Sequence, residues 1–514
     1  MSRATARRRA VFLLRHASLV ALAVLATATA ARSAAFTFED VVKIAEARSH
    51  EAFQRPAQIP EFLREISYDQ WRDIRYRPDA AVWRDRALPF QVQFFHPGLY
   101  YDHTIKMYVV DADGSRPIEF SPSKFDYGRN EFASQVPQDL GPAGFRLHYP
   151  IKTKSYWDEV IVFLGASYFR AVGRDQGFGL SARALAIDTA VQTGEEFPYF
   201  DTFWLVRPTK DAKSMTIYAL LESASVSGAY KFVVHPGKET AVDVEARLFF
   251  RKSVQKLGIA PLTSMFYSGE GNPAQKLDYR PEVHDSDGLL VSLANGEWLW
   301  RPLGNPERLH VSSLRADGLA GFGLLQRDRD FDHYQDLETR QDIRPSAWII
   351  PKAGPVWEKG HVELVEIPTD EEINDNIVTY WVPDGLPKEQ KPLELAYRIL
   401  WYGEEDRARS PNGRAIDTRR DHGHDENTHR FVVEFDGEKL RKLPADAVLR
   451  GVVTVGDGGQ GELLEDQVVK NVVTGGWRLV FEVRPSGSEP IELRAYLDQG
   501  GSALTETWSY VLEP

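Results

Sequence analysis

Apolar and polar residues alternate along most of this chain. Val242, Val244, Ala246, Leu248 and Phe250 take turns with Asp243, Glu245 and Arg247. A period of two sets one face of a strand in a core and the other in water. Trp477, Leu479, Phe481 and Val483 repeat the pattern against Arg478, Glu482 and Arg484, and Ile491, Leu493, Ala495 and Leu497 repeat it again. Runs rich in β-branched and aromatic residues at 215–221 and 230–234 predict further strands. Helical spacing is confined to 38–48 and 68–74 near the start. The 38 Gly and 30 Pro fall throughout as turn punctuation. Many strands with short connections predict an all-β protein made of large sandwiches.

The first 35 residues carry a different pattern. Six Arg and no acid accompany an uncharged run of 14 residues, 17–30, which leads to Ser33, Ala34 and Ala35. Basic, apolar, then small is the order of a secretory signal peptide, and the run is too short to span a bilayer. Removing residues 1–35 leaves 56 basic against 74 acidic side chains, a net charge of −18 where the whole chain has −12. The expectation is an exported, soluble protein with no direct membrane insertion. Its acidic balance excludes a nucleic-acid binder, which needs a positive footprint. With no Cys there is no disulfide framework, thiol nucleophile or thiolate metal site. Residues 404–430 hold almost nothing apolar. They are expected to be a linker and exposed loop between a large domain, 36–403, and a smaller one, 431–514, close in size to an immunoglobulin-like sandwich.

Three segments offer chemistry. PTDEEINDNIVTYW, residues 368–381, packs Asp370, Glu371, Glu372 and Asp375 into six positions. Crowded carboxylates raise one another's pKa, and an acid that stays protonated can protonate a leaving oxygen. Asn374 and Asn376 flank Asp375, and Tyr380 and Trp381 add aromatic surface. The alternative is a solvated acidic turn. His284, Asp285 and Asp287 sit just before an apolar strand, where a loop carboxylate can act as a base; Asp287-Gly288 also reads as a plain turn. Trp298 and Trp300 share one strand face, with Glu297 and Arg301 beside them. Flat rings stack on sugars, and most Trp rings pack in cores. His422, His424 and His429 lie among acids and could bind a divalent metal, but with nothing apolar to preorganise them the stretch reads as solvated loop. Acid–base chemistry on carboxylates requires no metal or organic cofactor, and none is expected.

Longer motifs add a resemblance. GASYFRAVG, GLSARALAIDTA, GEEFPYF, GAYKFVVHPG, GIAPLTSMF, RPEVHDSDGL, NGEWLWRPL, FGLLQRDRDF, VELVEIPTDEEINDNIV and the terminal TETWSY resemble the periplasmic glucan biosynthesis family, OpgG/MdoG with its paralogue OpgD/MdoD, from Phe36 to the C-terminus. The resemblance implies a galactose-mutarotase-like β-sandwich followed by an immunoglobulin-like one. It also implies a periplasmic role in making osmoregulated glucans with a β-1,2-linked backbone. Some members act on that backbone as glycoside hydrolases. For those, the resemblance implies Asp375 as general acid, Asp285 as a base that reaches its water indirectly, and Glu372 near the acid. Trp298, Trp300, Arg301, His284 and Tyr380 are then the expected sugar contacts. The partners implied are β-1,2-glucan and the membrane glucan synthase. A non-catalytic glucan-binding protein that presents nascent glucan to other enzymes is the alternative. Oligomeric state is not readable from the sequence.

Overall fold

The computed structural model describes residues 36–274, 276–352, 354–386, 391–403, 410–456 and 459–513. The expected signal peptide, 1–35, and the first part of the expected linker, 404–409, lie outside the described residues.

The period-two segments are strands at Thr240–Phe250, Trp477–Pro485 and Ile491–Gln499, and the two early amphipathic segments are helices at Phe38–Ser49 and Tyr68–Asp73. Two large, mostly antiparallel sheets face each other. The ten-stranded sheet runs from Gln91–Phe95 through Gly144–Tyr149, Asp158–Leu164, Tyr168–Ala171, Ser181–Arg183, Leu257–Ser264, Ile377–Pro383 and Lys359–Glu366 to His310–Asp317. The fifteen-stranded sheet carries Thr240–Phe250 and Val226–His235 near its middle. Their facing sides share one core, with Phe145, Phe163, Ile217, Phe232, Val244 and Leu262 all at most 2% exposed. The helix Phe38–Ser49 covers part of the outer side of the larger sheet, seating Phe38, Val41 and Ala45 against Trp204, Leu220 and Ala229. This is the all-β sandwich architecture that the alternation predicts.

A third layer stands behind the larger sheet. Arg414–His422, His429–Asp436, Trp477–Pro485 and Gly461–Lys470 form a four-stranded sheet. It packs on Arg450–Val455, Ile491–Gln499 and Thr507–Leu512, which join the fifteen-stranded sheet where Thr507–Leu512 pairs in parallel with Trp298–Pro302. The C-terminal sandwich therefore shares backbone hydrogen bonds with the large one. The polar stretch 404–430 is not loop throughout: its residues Arg414–His422 are an edge strand paired along its length with His429–Asp436. Ladder bonds make that strand, because its buried positions are Ala415 and Thr418, too little apolar surface to leave a sequence signal.

Candidate functional site

The acid motif is a short loop closed at both ends. Asn376, 2% exposed, accepts from the Phe266 N–H at 2.8 Å and donates its amide to the Phe266 and Ile367 carbonyls, both at 3.0 Å. Asn305 does the same further out, accepting from the Thr369 N–H at 2.9 Å and donating to Thr369 O at 2.8 Å. Inside the loop, Asn374 donates to the Thr369 hydroxyl at 3.0 Å. These side chains take the place of ladder bonds and fasten the loop at both ends. The four carboxylates are fanned apart rather than stacked together. Asp370 faces Lys276 at 3.4 Å, Glu372 meets Arg280 at 2.7 Å, and Asp375 faces Arg170 at 3.7 Å. Mutual crowding is thus not what governs Asp370, Glu372 and Asp375; each of the three has its own cation. Arg280 is also bonded to Asp278 and Asp336, so it fastens the loop to two other segments.

Asp285 is 5% exposed and its backbone N–H donates to Met265 O at 2.9 Å. Its carboxylate accepts from the Arg344 guanidinium. Burial, with the Arg170 charge close by, pulls Arg344 down to about 10, and Asp375 and Glu372 oppose that pull. Arg344 stays charged at neutral pH, so the pair is a true ion pair. The same influences show what the sequence separates and the fold joins. Asp375, Glu372 and Arg170 all act electrostatically on the guanidinium that holds Asp285. Asp285 and Asp375, 90 residues apart in sequence, thus flank one cluster.

The chain as a whole matches a known family. The chain matches the description "Periplasmic glucan biosynthesis protein, MdoG" over residues 36–512. It belongs to the MdoG family of periplasmic glucan biosynthesis proteins. "Glucans biosynthesis protein G" of Ralstonia nicotianae (strain ATCC BAA-1114 / GMI1000) is 49% identical over 506 residues, covering 96% of this chain and 99% of that protein. Among solved structures, a marsupial T cell receptor covers 60% of this chain at 8% identity, with a TM-score of 0.12. That likeness carries no weight.

Other expected sugar contacts are placed elsewhere. Trp298 and Trp300 do share a strand face, but it is the face against the C-terminal sandwich. Trp300 is 5% exposed in that second core with Arg327 stacked 3.5 Å from its ring centre, and Trp298 stacks on Trp348. Arg301, 2% exposed, bonds Ser509, Ser312 and Glu492. These three residues join the layers, and no free ring face remains on Trp300 for a sugar. Tyr380 is fully buried and donates to Glu363. His284 is buried with Nε2 2.8 Å from Glu282 and Nδ1 3.0 Å from Gln326, its ring stacked on Phe266. Burial opposes its charge, yet Glu282 outweighs it and raises the His284 pKa. A ring so enclosed supports the neighbouring Asp285 backbone and is not open to ligand.

The sequence reading missed the cations. Arg170, Arg344 and Arg280 each hold a candidate carboxylate; Arg170 and Arg280 stand inside the motifs GASYFRAVG and RPEVHDSDGL, yet neither takes a role in that reading. Among the described residues, Glu282, Asp328 and His333 have ligand atoms within 4.8 Å of one another, a spacing a divalent ion accepts. His333 already holds Asp328, and the Asp285–Asp375 cluster does not depend on this group.

Proposed function

We propose that this protein works in the biosynthesis of periplasmic glucans, and that it does so by cleaving or rearranging a β-1,2-linked glucose backbone at Asp375 and Asp285. The single observation that supports this most is the convergence of two loop carboxylates, one exposed and one buried, on neighbouring arginines. The family match and its relative's name support the glucan role and a periplasmic location. No helix among the described residues is long and apolar enough to cross a membrane.

The chemistry divides between the two acids. A water oxygen attacks the anomeric carbon, the bond from that carbon to the bridging oxygen breaks, and Asp375 gives its proton to the departing oxygen. Asp285 takes the proton lost by the water, so one water is consumed and the configuration inverts. Proton donation requires neutral Asp375. A bound chain that covers the carboxyl and draws Arg170 away supplies the two changes that favour it. If a sugar hydroxyl replaces water, the same site elongates, branches or cyclises the glucan.

The sealed state of Asp285 favours a second reading. A base locked to Arg344 in the free protein fits a binder that holds nascent glucan for other enzymes or for a membrane synthase. Incubating the purified chain and Asp375→Asn with linear β-1,2-glucan, with products read by mass, separates the two. Short linear fragments from the parent alone establish the hydrolase, and masses one water lighter establish cyclisation. Glucan that is left intact but raises the melting temperature establishes the binder.

A further inference from the structure

The tryptophans expected to meet sugar face the C-terminal sandwich, yet two other rings stand open near the candidate acid. Phe197 is 52% and Tyr279 76% exposed. Single apolar side chains on a surface are ordinary and need no function. These two differ in what supports them. Each lies against an arginine whose ion cluster leads to the Asp375 loop.

The Phe197 ring centre lies 5.0 Å from the Arg183 guanidinium, which also stands 5.3 Å from the Tyr168 ring centre. Arg183 is 2% exposed and ion-paired with Glu195, and Glu195 accepts from the Thr189 hydroxyl at 2.7 Å. The cation is thus held in place, and it backs one face of Phe197. Tyr168 pairs across strands with Arg183 and shares the outward face of its strand with Arg170, the partner of Asp375. Burial raises the Tyr168 pKa, and the charges of Arg183, Asp375, Glu195 and Arg170 act on the same phenol. Phe197 therefore stands one arginine and one tyrosine away from the acid. Tyr279 approaches from another segment. Its ring centre lies 5.8 Å from the Arg280 guanidinium, which bonds Asp278 at 2.8 Å, Asp336 at 3.0 Å and Glu372 at 2.7 Å. Glu372 belongs to the loop that carries Asp375. Each ring thus combines an open aromatic face with paired charges at its rim. A glucose unit uses that mixture, its C–H groups on the negative ring face and its hydroxyls on the charged groups beside it.

We propose that Phe197 and Tyr279 are outlying sugar platforms, which stack glucose units of a bound β-1,2-glucan away from Asp375 and make the site select long chains over short ones. The inference rests on the glucan site proposed above and not on the cleavage step. A short chain covers Asp375 and ends before it reaches either ring, whereas a long one gains both contacts. Stacking on one open ring changes affinity by about 3- to 10-fold.

The test titrates linear β-1,2-glucans of increasing length into the purified chain carrying Asp375→Asn, by calorimetry, so that glucan is bound without turnover. Affinity should rise with chain length. Adding Phe197→Ala or Tyr279→Ala should lower affinity for the long chains by about 3- to 10-fold and leave that for the shortest chains within about twofold. Phe197→Leu, which keeps apolar bulk and loses the ring face, should behave as Phe197→Ala does, and Tyr279→Phe should stay with its parent. Unchanged affinity in both alanine variants at every length overturns the inference and leaves the glucan site standing. An equal loss at every length also overturns it, because a general disturbance of the site has no length dependence. A chain that binds no glucan of any length overturns both the inference and the site. Should Phe197→Ala fold poorly, Phe197→Leu carries the same comparison.

Discussion

Asp375 and Asp285 occupy opposite settings. Asp375 tips a pinned loop, its side chain 36% exposed, facing Arg170 at a loose 3.7 Å. Asp285 is buried behind it, its side chain 8% exposed and locked to Arg344. A proton donor must touch a bulky leaving sugar, so its carboxyl has to stand clear. A base that serves a single water gains from a dry, fixed position, where its orientation is set before the substrate arrives. The two settings are built differently: side-chain amides hold the Asp375 loop from its ends, whereas Asp285 is tied to Met265 O by its own N–H.

The contrast can be broken at its most exposed point first. Asp375→Asn removes the donor and none of the packing, so turnover should fall about 10²- to 10⁴-fold with an unchanged melting temperature; steady-state rates beside a thermal melt check both halves. Asp285→Asn should cost similar turnover and also stability. It leaves the Arg344 guanidinium buried without its partner, and losses of that kind run to about 3–5 kcal/mol. Urea unfolding of the two variants side by side should show one near the parent and the other clearly weakened.

Glu366 sharpens the same distinction at the base of the acid loop. It is 7% exposed and bonded by the Gly304 N–H at 2.8 Å. Burial pushes its carboxyl up to about 7, against the pull of Arg301 and the Gly304 amide. A folded pKa above the unfolded one means that the folded state binds the proton more tightly. Glu366 therefore costs stability progressively as pH rises from about 4.5 to 7, and the cost is complete above that window. Glu366→Gln should raise the melting temperature more at pH 8 than at pH 5, and equal shifts at both would count against this account. The smallest effect belongs to the most exposed pair. Lys276→Ala removes a cation 3.4 Å from Asp370, which is 81% exposed, and should change stability by less than about 1 kcal/mol and turnover hardly at all.

The strands were legible because period two survives wherever one face is wet, as in Thr240–Phe250. Legibility failed where that premise failed. Trp298 and Trp300 alternate correctly, but their sheet is covered on both sides there, and a ring in a second core gives the same pattern as a ring waiting for a sugar. Arg414–His422 failed in the other direction, as an edge strand held by ladder bonds with scarcely any apolar positions. Asp375, Asp285 and Glu372 were singled out as candidates through motifs. The arginines beside them were not singled out, although Arg170 and Arg280 stand in quoted motifs, because Arg170 reaches Asp375 across 205 positions of chain and sequence alone does not pair them.

The central claim is that two separately held carboxylates act on one glycosidic bond, one as acid and one as base. Proton NMR of the first sugar anomer released from linear β-1,2-glucan tests it most directly. The account predicts the α anomer first from the parent chain, appearing before mutarotation, and none from Asp375→Asn or Asp285→Asn. The β anomer first, or release that survives either substitution, would contradict it.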